Sequence, residues 1–427
     1  MGNTQATLPD PRFASATRAF TQKELEDLKS IFVSLAAQSQ SGGQYISTSV
    51  FQAYFGVKGP LGERLFDLLT NHRKDSKLTF EDLVIAKSVY EKGSNDEIEE
   101  FIYQLMDVTG DGVLKRSDLE SVLIAILGSI FSIGFSEPGS SSSQHIVDVF
   151  LKAATFDNDV QGTAEKSMSF EEFKIWCTLV PSARKFLGSL LMTADAGRPG
   201  SQIPKLLYGE NMDPSLLLMR KEYAWHIAGA LSQPELEGWK LLYHSATNGL
   251  SFNTFIGNLS TCDGSTVLIV KDREGHIYGG YASQPWERHG DFYGDMKSFL
   301  FQLYPKASIF KPTGANHNIQ WCAVNFSSEN IPNGIGFGGR ASHLGLFLSA
   351  SLDVGHTFSC TTFGSPCLSK TNHIYPEVIE CWGIVQNGAH HQKQDAVSAS
   401  AAGSVLQRFK EDRHMLNMVG LAANSSE

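Results

Sequence analysis

Asp107-Val-Thr-Gly-Asp-Gly-Val-Leu-Lys-Arg-Ser-Asp118 is the stretch that decides how the first half of the chain reads. A twelve-residue loop of this spacing wraps a hard cation in oxygen ligands from positions 1, 3, 5, 7, 9 and 12, with glycine at position 6 for the sharp turn. Those positions hold Asp107, Thr109, Asp111, the Val113 carbonyl, Lys115 and Asp118, and Gly112 stands at the turn. The expected metal ligands are Asp107, Thr109, Asp111, Val113 and Asp118, and the expected ion is Ca2+. Two departures weaken the loop. Asp118 reaches less far than the usual bidentate Glu, which leaves room for Mg2+ or lower coordination, and Lys115 brings a positive charge where a water or oxygen ligand normally sits.

Phe101, Leu105 and Met106 precede the loop, and Leu119 and Leu123 follow it, so both flanks read as helices. Working outward, Thr21 and Glu24 form a capping-box pattern ahead of Leu25, Leu28, Ile31, Phe32 and Leu35 at helical spacing. Amphipathic stretches recur around 48–55, 61–70, 80–91, 97–106, 117–127, 145–155 and 170–192. Three further loops keep the register without the ligands. Ser39–Val50 has Ile46 at position 8 and no carboxylate, and Asn71–Asp82 has Leu78 at position 8. The last, near Asp157, ends in Ser169-Phe-Glu-Glu-Phe173 but carries about four extra residues. The region resembles EF-hand proteins: four helix–loop–helix units in two pairs, with one good loop. The expectation is an all-α EF-hand-like domain over 21–190, after a flexible tail at 1–20.

The formal net charge of −10 argues against nucleic-acid binding, which needs a basic face, and against a purely electrostatic membrane binder. The six scattered cysteines contain no CxxC pair and read as reduced, mostly buried thiols of a cytoplasmic protein. No apolar run reaches the roughly 18–20 residues a spanning helix requires. Met1-Gly2-Asn3 begins a myristoylation pattern with Gly2 as the acyl acceptor. A single myristoyl chain gives marginal, reversible binding. Peripheral attachment to an endomembrane or the plasma membrane is therefore expected.

After a linker at 191–225 the period changes. Thr266 to Ala282 reads as two strands around a turn at Asp272–Gly275, and further strands are expected at Trp239–Tyr243, Phe299–Leu303, Ile319–Val324, Leu344–Leu352 and Val378–Ile384. Ser251–Leu259 has helical spacing instead. Many short strands with few helices suggest an antiparallel sandwich. Gly238-Trp-Lys-Leu-Leu-Tyr-His-Ser245, Asn248 to Thr254, Tyr278-Gly-Gly-Tyr-Ala-Ser283, Trp286, Phe292-Tyr-Gly-Asp295, Gly336-Phe-Gly-Gly339, Thr362-Phe-Gly-Ser365 and Ile379-Glu-Cys-Trp-Gly383 occur in order. Together they resemble the TLDc domain of oxidation-resistance and lysosomal signalling proteins, over 226–390. The whole plan is similar to EF-hand-containing TLDc proteins and to the mTOR-associated lysosomal kind. The resemblance implies an α+β multidomain chain whose second half is a β-sandwich with flanking helices. It also implies binding to the vacuolar-type proton-pumping ATPase and a part in oxidative-stress tolerance.

The same half offers few residues in a catalytic or cofactor-binding pattern. Gly334-x-Gly336-x-x-Gly339 matches a dinucleotide fingerprint but lacks the strand before and helix after, so a tight glycine loop near a sheet edge is expected. His356, Cys360, Cys367 and His373 have no usual zinc spacing. Glu287, Asp291 and Asp295 read as a structural or partner-facing acidic cluster. In the tail at 391–427, Val405, Leu406, Phe409, Leu416 and Val419 give a helix over 404–419. The leading function is a non-enzymatic, calcium-responsive, membrane-associated adaptor of the proton pump. The alternative is an enzyme of oxidative defence acting through the TLDc half.

Overall fold

Four helices of the first half begin with the same local device. Thr21, Thr79, Ser94 and Ser169 each accept the backbone N–H three residues on, and Glu24, Asp82, Glu97 and Glu172 bond back to the backbone of the capping residue. Donors that a helix start leaves unpaired are thereby satisfied reciprocally. The structure, a computed structural model, describes residues 11–70, 75, 77–131, 141–159, 165–192 and 197–385. Gly2 and the helix expected at 404–419 lie outside the described residues.

The helices are α1 (Pro11–Ala16), α2 (Gln22–Gln38), α3 (Thr48–Phe55), α4 (Gly59–Leu69), α5 (Phe80–Lys92), α6 (Asn95–Met106), α7 (Arg116–Phe131), α8 (Ser141–Leu151), α9 (Phe170–Leu179) and α10 (Pro181–Leu187). The longer helices bury one stripe, as with Leu28, Phe32, Leu35 and Ala36 on α2, and Leu61, Leu65, Phe66 and Leu69 on α4. The helix expected over 170–192 is interrupted. Pro181 disfavours the helical conformation in the residue before it, and Val180 sits at φ −124°, ψ 64°. Pro181 then starts α10, where its missing N–H costs nothing.

Loops of neighbouring helix–loop–helix units meet back to back. Ile46 and Leu78 exchange both backbone hydrogen bonds, at 2.9 and 3.2 Å, and the Met168 N–H donates to the Leu114 carbonyl at 2.8 Å. The extra residues of the last loop contribute a small antiparallel ribbon, β1 (Asn158–Asp159) against β2 (Lys166–Ser167).

The second half carries β3 (Lys205–Leu207), α11 (Lys221–Ala228), β4 (Gly238–His244), α12 (Ser245–Asn248), α13 (Phe252–Leu259), β5 (Thr266–Asp272), β6 (Ile277–Ala282), β7 (Phe299–Tyr304) and β8 (Ser308–Phe310). It continues with β9 (Gln320–Ala323), β10 (Gly334–Arg340), β11 (His343–Ser349), β12 (Gly355–His356), β13 (His373–Ile374) and β14 (Pro376–Val385). One sheet runs β3-β4-β14-β5-β6-β7-β8 and the other β13-β12-β11-β10-β9. The ten-residue β14 is antiparallel to β4 and β5 alike, and its residues Ile379 to Trp382 are fully buried. The β5–β6 hairpin turns where expected, with Gly275 at φ 82°. β3 joins β4 in parallel.

The two sheets stack by way of glycine. A Cβ at Gly280 would lie 2.6 Å from the Phe337 ring, which packs edge-on to Trp286 with centroids 5.4 Å apart. The glycine run at 334–339 is a correction to the sequence reading. It is no edge loop but β10, an interior strand paired on both sides by β9 and β11. Small residues are needed there because neighbours press in: a Cβ at Gly338, at φ 66°, would meet the Cys360 Sγ at 2.6 Å.

The described residues form two compact units. The first extends to Gln202 and also takes in Trp225–Ala230 and Lys306–Ser308; the second holds Ile203–Ala224, Leu231–Pro305 and residues from Ile309 on. All six tryptophans are buried: Trp176 and Trp225 in the first unit, Trp239, Trp286, Trp321 and Trp382 in the second. Among the described residues no helix is long and apolar enough to cross a membrane.

Candidate functional site

Asp107 ends α6 and Asp118 lies in the first turn of α7, so the two helices set the two ends of the loop between them. Both carboxylates are buried, and both are turned onto loop backbone. Asp107 Oδ1 accepts from the Gly110 N–H at 2.8 Å and the Thr109 hydroxyl at 3.2 Å, and its Oδ2 accepts from the Gly112 N–H at 2.9 Å. Asp118 accepts from the Thr109 N–H at 3.3 Å and the Lys115 N–H at 3.0 Å. Burial pushes the Asp118 carboxyl up, with the nearby Asp107 charge adding to it. Asp111 is exposed, and its Oδ1 accepts the Val113 N–H at 3.0 Å.

Among the described residues, Lys115 and Arg64 set cations on the loop's carboxylates. Lys115 Nζ lies 2.7 Å from Asp111 Oδ2 and 3.8 Å from Glu165. The hydrogen bond holds the Asp111 carboxyl below its ordinary value and the Lys115 ammonium above it. Arg64, from α4, points Nη2 at Asp107 Oδ2 (3.5 Å), donates Nε to the Gln104 carbonyl (3.2 Å) and pairs Nη1 with Asp67 (3.3 Å). The donor set (carboxylates, a hydroxyl and a carbonyl) suits a hard divalent cation in kind. The structure brings Asp107, Thr109 and Asp118 together through hydrogen bonds and holds Asp111 on Lys115. Among the described residues no group of three or more His, Cys, Asp or Glu converges as a metal cage. Near Asp157, the fourth loop uses Glu172 to cap α9 and to accept from Asn158 at 2.9 Å.

The β-rich unit holds a buried polar knot that the sequence did not disclose. Glu380 of β14 is fully buried and accepts from the Leu218 and Met219 N–H groups and from the Trp382 indole at 2.8 Å. Burial pushes its carboxyl up against those donors. His244 of β4 takes the Ala246 N–H on Nδ1, so the neutral ring carries its proton on Nε2, which faces the Leu216 carbonyl at 3.3 Å and Glu380 at 3.6 Å. A glutamate inside the apolar run Val378–Ile384 was the one local signal available. Asp272 is similarly used, accepting from the Tyr278 and Ser369 hydroxyls and the His276 N–H.

The other candidates are separated or committed to structure. Asp295 ties Ser283, Gln284 and Lys297 together; burial raises its carboxyl, and these hydrogen bonds bring it below its ordinary value. His356 and His373 face each other across β12 and β13, while Cys367 donates toward backbone carbonyls. All six thiols are free. Burial raises Cys177, Cys262, Cys367 and Cys381, and raises Cys322 to about 12. Such surroundings disfavour the thiolate that a nucleophile requires.

Residues 213–385 match the TLDc domain. The chain is 33% identical to the MTOR-associated protein MEAK7 of Danio rerio over 190 residues, 44% of this chain and 40% of that protein. The aligned stretch thus spans well under two thirds of that relative's length. A longer alignment to MEAK7 of Gallus gallus, 24% identical, covers 100% of this chain and 97% of the relative. Human oxidation resistance protein 1 is 31% identical over 146 residues, 34% of this chain and 16% of its own. The TLDc region therefore makes the chain a homologue of both kinds of protein. Its domain match begins at 213, ahead of α11 and β4.

Proposed function

We propose that the chain is a non-enzymatic adaptor whose TLDc domain engages a large assembly, the vacuolar-type proton pump, while the helical unit responds to Ca2+ and acylated Gly2 holds the chain on a cytoplasmic membrane surface. The observation that carries the adaptor reading is how the TLDc half spends its polar groups. Glu380, Asp272 and Asp295 are engaged in holding strands and loops, and burial disfavours ionisation of Cys262, Cys322, Cys367 and Cys381. On this reading the domain works through its surface. The names of the homologues point the same way, associating one kind with mTOR and the other with oxidation resistance.

Asp107, Thr109, Asp111, the Val113 carbonyl and Asp118 would hold the cation, Ca2+ or with lower coordination Mg2+. The ion would supply the charge that organises the loop between α6 and α7. The test is affinity capture from membranes in Ca2+ or chelator, comparing the native chain with Asp107→Ala and Gly2→Ala. Pump subunits should be recovered with the native chain, less with Gly2→Ala, and without Ca2+ dependence in Asp107→Ala. Recovery of none in any condition refutes the adaptor reading. The alternative, an oxidant-destroying enzyme, requires peroxide turnover that is lost on replacing Cys262 or Cys367.

A further inference from the structure

We infer that Arg64 and Lys115 are the built-in counter-cations of the 107–118 loop, and that they must leave Asp107 and Asp111 before those carboxylates can ligate a divalent ion. This rests on the cation reading proposed above and adds what sets its affinity and what binding would move. Arg64 is only 10% exposed and Asp107 only 7% at their side chains, so their contact is shielded from solvent. The guanidinium spans three groups at once: the Gln104 carbonyl at the end of α6, the first carboxylate of the loop, and Asp67 on its own helix. It also lies directly over the loop, where a Cβ at Gly110 would come within 3.0 Å of Nη1. The Lys115 ammonium in turn lies on Asp111 and near Glu165. A divalent ion placed among Asp107, Asp111 and Asp118 would face two like charges that the fold has already positioned, and like charges at such separations repel strongly in a partly buried setting.

Arg64 belongs to α4, in the second helix–loop–helix unit, whereas Asp107 begins the loop of the third. The pair therefore latches one pair of units to the other. Freeing Asp107 for another cation would take away one of the three partners of Arg64, so ligation would loosen the hold of α4 on the third unit's loop. Sensor loops elsewhere couple an ion to helix opening, and here the coupling would run through a single arginine.

The test is calorimetric titration of CaCl2, and separately MgCl2, into the full chain and its Arg64→Gln, Lys115→Gln and Arg64→Gln/Asp107→Asn forms, with amide hydrogen exchange over 59–69. Arg64→Gln should bind Ca2+ at least about tenfold more tightly than the native chain, and Lys115→Gln should shift the same way by less. Adding Asp107→Asn should abolish the gain. Exchange over 59–69 should rise with Ca2+ in the native chain and be already raised, without Ca2+, in Arg64→Gln. Equal affinities in native and Arg64→Gln chains would overturn the counter-cation inference while leaving the metal reading intact. Binding seen only in the variants would support the inference and refute a native Ca2+ site. Binding by none of the forms would overturn both.

Discussion

His226 and Glu380 are buried titratable groups of opposite type, one in each compact unit, and they give the units opposite responses to pH. Neither ring nitrogen of His226 meets hydrogen-bond geometry among the described residues, although the Ser308 backbone favours the protonated ring slightly. Burial lowers its pKa from 6.5 to about 3. The unfolded chain binds that proton more readily, so the contribution is complete above 6.5 and is lost as the pH falls toward the folded value. The slope is about 1.4 kcal/mol per pH unit. A His226→Phe chain should flatten that slope in urea unfolding of the helical unit followed by circular dichroism. Glu380 has the reverse sign. Its raised value means the fold favours the protonated acid, so stability falls as pH rises from 4.5 through the folded value. Glu380→Gln keeps the volume but turns an amide N–H2 toward the donors of Met219, Trp382 or His244. A cost of about 1–3 kcal/mol in urea midpoint is expected, with the pH dependence removed. His226 leaves no local mark in the sequence and Glu380 only its place inside the apolar run Val378–Ile384, because a buried charge is a property of the assembled surroundings more than of its neighbours in the chain. The same holds for Arg64, which lies 43 residues from Asp107.

At the scale of elements, helices were the easier reading, since periodicity and capping are local. Thr48–Phe55 forms at the bounds its spacing predicts, and the Thr21–Glu24 box closes as its residues imply. Misreadings occurred where packing overrode local pattern. Gly334–Arg340 has poor intrinsic strand preference, yet it is held between two partners because only glycine admits the side chains crossing it. The Gly280 contact offers a direct measure of that effect. Gly280→Ala puts a methyl group against Phe337 and should cost about 1–3 kcal/mol by overpacking. Combining it with Phe337→Leu should recover part of the loss, so that a double-mutant cycle reads a coupling of about 0.5–3 kcal/mol. Strictly additive losses would show that the sheets do not meet at that point.

For the whole molecule, the two-part plan was visible as a change of period from helical to alternating, but the ownership of residues was not. Trp225–Ala230 and Lys306–Ser308 come from the β-rich half of the sequence and count structurally with the helical unit. There the Trp225 indole donates to the Gly200 carbonyl, its ring packs against Phe150 at 5.6 Å, and the Ala307 N–H bonds to the Val149 carbonyl at 3.0 Å. A fragment cut at 203–385 keeps every strand of both sheets yet strips these partners away. It should bind a hydrophobic dye and melt below the same sheets in the intact chain; an equal melting point would show that the segments contribute nothing. The burial of the tryptophans has an optical consequence. Indole emission shifts to longer wavelength when water reaches the ring, and here every indole starts in the dry state. Replacing Trp176 and Trp225 with phenylalanine would leave a chain that glows from the sheets alone. Restoring only that pair would give one that reports the helices, so the protein carries two separable colour signals for its own unfolding.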